Sequence, residues 1–367
     1  MFGRVPIARR HVLADRRRLV IAVVGIGASL GLIFLLQGLW QGFQAQISAY
    51  EDNVGADLFV GQTGVQNFLG DTSVIPAGSV EEVRAVPGVR QADPVTARAV
   101  ILGLHDRKQF AFLIAAEPDG MGGPWGLAAG REVERDDELV VDRTLADQHD
   151  VRIGDRVELL GRKLRVVGLS TGTRSWMSSF VFVSPGAAAS LLRSEGTVSY
   201  VLVRAEQPDA TAVQIGRRTG LAAVPAETLA ENDRILLSKI MSAPLDLMVA
   251  VAFVAGTLIV ALTVYSAVVE RIREYGIAKA MGIRRGRLLG IVLGQTSVLT
   301  LLGTVAGFGV YEAAYRLVSL VRPQFGVQLT PGTVGLVVVA AALMALLAAV
   351  IPTLRITRLD PASVYRG

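Results

Sequence analysis

Glu270-Arg-Ile-Arg-Glu-Tyr-Gly-Ile-Ala-Lys-Ala-Met-Gly-Ile-Arg-Arg-Gly-Arg287 is the stretch that decides the fold, because of what lies on either side of it. The runs 247–269 and 288–311, which flank it, are apolar and contain no charged residue. About 20 such residues are enough for a helix to cross a bilayer. The stretch itself carries six cations and two anions. Because short basic loops face the cytoplasm, it is predicted to be a cytoplasmic loop between two membrane helices.

The order of residues in this stretch says more than its charge. Ile277, Ala280 and Met281 form a short amphipathic patch, and Gly282 follows where glycine favours the end of a helix. The pattern E-R-x-R-E-x-G-I-x-K-A-M-G resembles the cytoplasmic loop of the FtsX/MacB-like family of ABC transporter permeases. Composition alone leaves open an ordinary positively charged loop.

In that family the loop forms a coupling helix that docks on a separate ATPase subunit. Small residues would let a short helix enter a cleft, and a methionine would fill it. The resemblance therefore implies ATPase coupling at Glu270, Arg273, Glu274, Gly276, Ile277, Ala280, Met281 and Gly282.

The charge of the whole chain has to be divided by region before it is interpreted. The formal net charge is +5, but the segments 1–18, 270–287 and 355–367 together hold +11, whereas 41–246 holds −7. Basic residues are thus confined to short segments beside apolar runs, which indicates membrane topology and not a nucleic-acid surface. The chain has no cysteine, which excludes disulfides and thiolate chemistry.

The remaining apolar runs complete a four-helix topology. The run 19–40 follows six arginines, and its charge-free part is longer than the roughly 7–15 residues of a signal peptide, which is the alternative reading. The run 333–354 precedes a basic tail that resembles the family's terminal D-P-A motif. We therefore expect a multi-pass protein of the bacterial inner membrane with both termini in the cytoplasm.

The fold class expected is an α-helical membrane protein with four transmembrane helices and an extracytoplasmic α+β domain between helices 1 and 2. Strand-like runs separated by turn residues fill 41–246, and their order resembles the MacB-type periplasmic region. By that resemblance the domain has a split α/β part and a β-rich part. The predicted segments are 1–18 (cytoplasmic), 19–40 (helix 1), 41–246 (outer domain, with 54–98 and 196–230 as the split part and 99–195 as the β-rich part), 247–269 (helix 2), 270–287 (coupling segment), 288–311 (helix 3), 312–332 (outer loop), 333–354 (helix 4) and 355–367 (cytoplasmic tail).

Gly27 and Gly31 lie inside the first apolar run and frame a G-x-S-x-G pattern. That pattern marks a nucleophile only in a strand–turn–helix setting, and here it lies in an apolar helix. Glycines four residues apart instead allow close helix approach, so these two are predicted to mediate helix packing or a dimer contact.

Residues that would carry catalysis are sparse. None of the four lysines lies in a phosphate-binding G-x-x-x-x-G-K-[ST] motif, so ATP and Mg²⁺ are expected on a partner and no cofactor in this chain. The three histidines are far apart in sequence, which disfavours a zinc enzyme. The acidic run 132–138 could bind a cation, although a solvated loop face is favoured. A non-catalytic subunit is predicted.

Two functions remain open. The first is a permease subunit of an ABC-type export or lipid/lipoprotein-handling system that transmits ATP-driven motion to its outer domain (mechanotransmission). The alternative is an FtsX-like regulator that activates a cell-wall hydrolase without moving cargo. The resemblance implies an ABC ATPase subunit, a second copy or a similar permease, a periplasmic adaptor and membrane lipids as partners, and no nucleic acid.

Overall fold

A computed structural model describes residues 16–104, 107–175, 179–270, 272–273, 277, 281, 285–321 and 326–357. The chain divides into two compact units. We call Met1–Gly42 with Met241–Gly367 the membrane part, and Phe43–Ile240 the inserted domain.

The described helices, in chain order, are α1 (Arg16–Ile47), α2 (Ala49–Asn53), α3 (Ser79–Arg84), α4 (Arg143–Gln148), α5 (Pro185–Leu192), α6 (Pro208–Thr219), α7 (Ala226–Glu270), α8 (Arg285–Val321) and α9 (Pro331–Thr357). The described strands are β1 (Leu58–Gly61), β2 (Ile75–Pro76), β3 (Val89–Leu104), β4 (Arg107–Ala116), β5 (Leu127–Gly130), β6 (Glu138–Asp142), β7 (Arg156–Leu159), β8 (Arg162–Ser170), β9 (Ser179–Val183), β10 (Thr197–Val198), β11 (Tyr200–Ala205) and β12 (Ala222–Pro225).

Helices α1, α7, α8 and α9 confirm the four predicted membrane helices. Each contains a segment long and apolar enough to cross a bilayer: Leu19–Ile47, Met241–Glu270, Leu289–Val321 and Pro331–Leu354. Their buried side chains, mostly aliphatic, form one cluster shared by all four helices. The prediction of a mixed α/β domain between the first and second membrane helices is likewise confirmed.

Helix α8 is longer than predicted. It continues to Val321, so residues 312–321 of the predicted outer loop 312–332 are helical. The sequence there favours this, because Glu312 and Arg316 lie one turn apart and their side chains form an ion pair at 2.7 Å. The first charged residue after the apolar run therefore supports the helix and does not end it.

The described strands of the inserted domain form one mixed sheet of ten strands, with β2 and β10 as a separate pair. The order along the sheet is β12-β1-β11-β3-β4-β9-β6-β8-β5, and β7 pairs with β3 and β8. The β4–β9 and β6–β8 pairs are parallel, and the other pairs in the sheet are antiparallel.

The two predicted parts of the domain share this sheet. Strand β3 runs through the predicted cut between 98 and 99, pairing with β11 at one end and β4 along most of its length. Each part has its own aliphatic cluster. A third cluster, rich in aromatic residues, draws on both parts: Tyr50, Phe59, Phe68, Phe112, Phe180 and Tyr200 belong to it. The domain therefore has distinct cores but no break in its sheet at the predicted boundary.

Candidate functional site: the segment between the second and third membrane helices

The candidate coupling segment lies between the end of α7 at Glu270 and the start of α8 at Arg285. Among its described residues, Ile272, Arg273 and Ile277 are helical and Met281 lies in a turn. The backbone N–H of Met281 donates to the carbonyl oxygen of Ile277 at 3.0 Å. A hydrogen bond between residues four apart closes one turn of α-helix, so Ile277 and Met281 share a face.

Both of these apolar side chains are exposed. Ile277 is 40% accessible and Met281 is 73% accessible. Arg273 is exposed as well. Methionine is flexible and polarizable, which suits it to filling an irregular cleft on a partner. A short helical turn that presents an isoleucine and a methionine on one face has the chemistry of a docking element.

The structure describes only part of the predicted coupling set. Glu274, Gly276, Ala280 and Gly282 lie outside the described residues. Glu270 is the last residue of α7. Ile277 and Met281 are therefore exposed apolar side chains on one face, and the coupling role of the whole predicted set stays a prediction.

Gly27 and Gly31 pack inside the chain. A Cβ at Gly27 would lie 2.9 Å from that of Ala306, and one at Gly31 would lie 3.0 Å from the carbonyl oxygen of Gly307. A Cβ at Gly307 would in turn lie 3.1 Å from the carbonyl oxygen of Gly27. These glycines therefore allow close packing of α1 against α8 within one chain. The predicted packing role is thus met inside the chain, and a dimer contact at these glycines stays a prediction.

The acidic run 132–138 is organised around an arginine. Glu138 is buried, and its two carboxylate oxygens accept hydrogen bonds from Arg131 at 2.9 Å and 2.5 Å. The backbone N–H of Glu134 adds a third at 3.1 Å. These bonds lower the pKa of Glu138 to about 2. In the described part of the chain no group of three or more histidine or acidic side chains is arranged for a metal ion.

Comparison with known families accounts for both units. Residues 247–361, which include the candidate segment, match the FtsX-like permease C-terminal family. Residues 19–215 match the MacB-like periplasmic core domain, and this match spans more than half of the chain. The chain belongs to the FtsX/MacB-like family of ABC transporter permeases.

Relatives of this permease cover nearly its whole length. An uncharacterized ABC transporter permease of Mycobacterium bovis is 30% identical in an alignment of 370 positions, which covers 98% of this chain and 99% of the relative. Another, from Mycobacterium tuberculosis, is 28% identical over 366 residues, with the same coverage. The periplasmic region of MacB from Actinobacillus actinomycetemcomitans, a solved structure, is 12% identical with a TM-score of 0.37, and the match covers 50% of this chain and 94% of that one.

Proposed function

We propose that this permease transmits ATP-driven motion from a separate ATPase subunit to its inserted domain, as part of an ABC-type export or lipid/lipoprotein-handling system. The observation that carries the proposal is the exposed turn with Ile277 and Met281 between α7 and α8, in the region that matches the FtsX-like permeases. The match of the other unit to the MacB-like periplasmic core domain favours the exporter class.

The proposed orientation places both termini and the coupling segment in the cytoplasm and the inserted domain on the other side of the bacterial inner membrane. The charge distribution supports it, because the three segments assigned to the cytoplasm hold +11 and 41–246 holds −7. The family resemblance supports a functional unit that contains a second copy or a similar permease. A periplasmic adaptor and membrane lipids complete the proposed partners.

In this proposal ATP and Mg²⁺ bind to the partner and not to this chain, which has no G-x-x-x-x-G-K-[ST] motif. Motion would travel through α7, which is one helix from Ala226 to Glu270. A helix passes a displacement along its axis, at a rise of about 1.5 Å per residue, without a flexible joint. Pro244 is the residue within α7 that removes a backbone hydrogen bond, so any bending is expected to start there.

Charge on the exposed face should uncouple the two subunits. We expect Ile277→Glu combined with Met281→Glu to leave membrane insertion unchanged and to abolish both co-purification of the ATPase subunit co-expressed with it and stimulation of that subunit's ATP hydrolysis. A carboxylate forced into an apolar cleft is costly to desolvate. Ile153→Glu, at an exposed apolar position of the inserted domain, is the matched control. Full stimulation in the double variant would reduce the segment to an ordinary loop.

Orientation is testable with single cysteines, since the chain has none of its own. A cysteine at exposed position 153 should react with a membrane-impermeant maleimide in intact spheroplasts, and a cysteine at 281 should react only after lysis. Labelling of both positions before lysis, or of neither, would contradict the proposed topology.

A further inference from the structure

Two acidic side chains meet inside the inserted domain. Glu51 lies on α2 and Asp233 lies near the start of α7, more than 180 positions later in the chain. Glu51 is 4% accessible and Asp233 is fully buried. Their carboxyl groups lie close enough to interact directly. The pair therefore links the helix that follows α1 to the helix that leads into the second membrane span.

The two carboxyl groups differ in the donors around them. One oxygen of Asp233 accepts hydrogen bonds from the backbone N–H groups of Phe68, at 2.8 Å, and Leu69, at 3.2 Å. Neither oxygen of Glu51 has a hydrogen-bond donor among the described residues. The hydroxyl of Tyr200, a second buried polar group close to both carboxyls, is also without a partner in the described part of the chain.

The charged groups nearby do not neutralise the pair. Asp52 and Asp71 add negative charge. The nearest cation in sequence, Arg234, donates to Ser48 at 2.6 Å and to Asp52 at 2.9 Å, and its guanidinium lies 3.7 Å from Glu231. Tyr50, adjacent to Glu51, donates to the carbonyl oxygen of Gly122.

The surroundings of the pair are aromatic. The ring of Tyr50 stacks on Phe68 with centroids 4.7 Å apart, and Phe59 and Tyr200 contact the same group of rings. Two ionised carboxylates cannot be held in contact in such surroundings, because burial and like charge both disfavour the second charge. A single proton removes one charge and supplies the missing donor.

We propose that Glu51 and Asp233 form a proton-binding site, in which one proton is shared at neutral pH and Glu51 carries it as the donor to Asp233. The backbone N–H groups of Phe68 and Leu69 favour the ionised form of Asp233, which leaves the proton on Glu51. The hydrogen bond that this proton makes connects α2 to α7. This site does not depend on the proposed transport function.

The direction of the pKa shifts agrees with this geometry. Burial, followed by the contact with Asp233, raises the pKa of Glu51 well above its usual range. Because the pKa is raised in the folded state, the stability that the proton provides is fully present below the pKa of an unfolded glutamate. It is lost as the pH rises through the folded pKa. Alkaline conditions should therefore loosen the α2–α7 contact.

Infrared spectroscopy of the full chain in a maltoside detergent, which has no carbonyl group of its own, tests the site directly. A protonated carboxyl group has a carbonyl stretching band separate from that of a carboxylate. We expect such a band at pH 7 in the wild type and its loss in Glu51→Gln. The control Glu231→Gln alters an exposed carboxylate on α7 and should keep the band. Absence of the band in the wild type at pH 7 would overturn the proposal.

A second measurement covers the case in which one variant fails to fold. The wild type should lose thermal stability between pH 7 and pH 10. Glu51→Gln should lose less than half as much, because a glutamine amide donates to Asp233 at any pH. Asp233→Asn is the alternative variant. It leaves Glu51 buried and protonated, so the band should remain but shift in frequency, because the proton is then donated to an amide oxygen and not to a carboxylate. A band that survives in Glu51→Gln, or that does not shift in Asp233→Asn, would assign the proton to another carboxyl group and refute the site.

Discussion

The membrane part and the inserted domain bury their side chains by opposite means. In the membrane part, Gly27, Gly31 and Gly307 bring α1 and α8 into backbone contact. Large apolar side chains are left on the outside, as Leu320 is at 82% accessibility. In the inserted domain the central cluster is built from aromatic rings, and most of the outer surface is polar.

The difference follows from the solvent that each unit meets. Lipid tails are as apolar as leucine, so membrane helices gain little from burying large side chains and associate through close packing of small ones. Water makes burial of aromatic area favourable, so the inserted domain concentrates its rings in the interior. The membrane part therefore exposes large apolar side chains, whereas the inserted domain buries its aromatic rings.

The largest expected effect comes from removing an aromatic ring from the core of the inserted domain. Phe68 is buried and contacts Tyr50, Phe59, Phe112 and Tyr200. Replacing it with alanine should lower the free energy of unfolding of the inserted domain by about 3–5 kcal/mol, through lost burial and the cavity left behind. Phe110→Ala, at a phenylalanine that is 48% accessible, is the control and should cost far less. Thermal unfolding of the full chain compares them, and equal losses would contradict a core role for Phe68.

The next largest effect comes from replacing a glycine at the contact between α1 and α8. Gly307→Leu would push a side chain into Leu30 and the backbone of Gly27 and Gly31, and should destabilise the membrane part by about 1–3 kcal/mol or more. Gly309→Leu is a matched control two residues away, where a Cβ added to the glycine would have nothing within 4 Å of it. Monodispersity and thermal stability in detergent provide the measurement. If both leucine variants behave alike, α1 and α8 are not held by glycine contacts.

The smallest expected effect concerns a buried ion pair of the inserted domain. It asks how much one charged contact adds to a unit whose core is aromatic. Glu138→Gln removes the charge that Arg131 binds and should cost about 1 kcal/mol at neutral pH, since a glutamine retains neutral hydrogen bonds. The pKa of Glu138 is lowered to about 2, so its contribution is present above the pKa of an unfolded glutamate and is lost as the pH falls toward 2.

Measuring the free energy of unfolding as the pH is lowered tests this last prediction. The wild type should lose stability below about pH 4, the pKa of an unfolded glutamate, more steeply than Glu138→Gln does. Glu134→Gln is the control, because Glu134 is exposed and lies 3.6 Å from the same arginine. Identical acid profiles for the wild type and Glu138→Gln would show that the ion pair adds no pH dependence.

The coarse fold is accessible from sequence because its determinants are local. Four uncharged apolar runs define the membrane helices, and alternating runs between turn residues define several strands, such as β6 and β9. Strand β4 has a weaker sequence signal, because its polar start, Arg107-Lys-Gln, breaks the alternation. The length of α8 is underestimated, because the charged residue after the apolar run forms a helical ion pair and does not end the helix.

The candidate functional residues also differ in how far the sequence predicts them. The coupling segment is a continuous motif of 18 residues, so its pattern is recognisable without any structure. The proton-binding pair is not predictable from sequence. Glu51 reads as one more polar residue of a helical extension, and Asp233 as another more than 180 positions away.

Sequence by itself determined the membrane helices, the family and the candidate coupling motif, because hydrophobic length, charge asymmetry and a short motif are properties of neighbouring residues. Tertiary structure alone decided what each glycine and each acid contacts. Gly27 and Gly31 face α8 of the same chain, β3 carries one sheet through both parts of the inserted domain, and Glu51 meets Asp233 in an aromatic interior. These outcomes depend on which distant surfaces the fold brings together, and burial then fixes their energetic consequence.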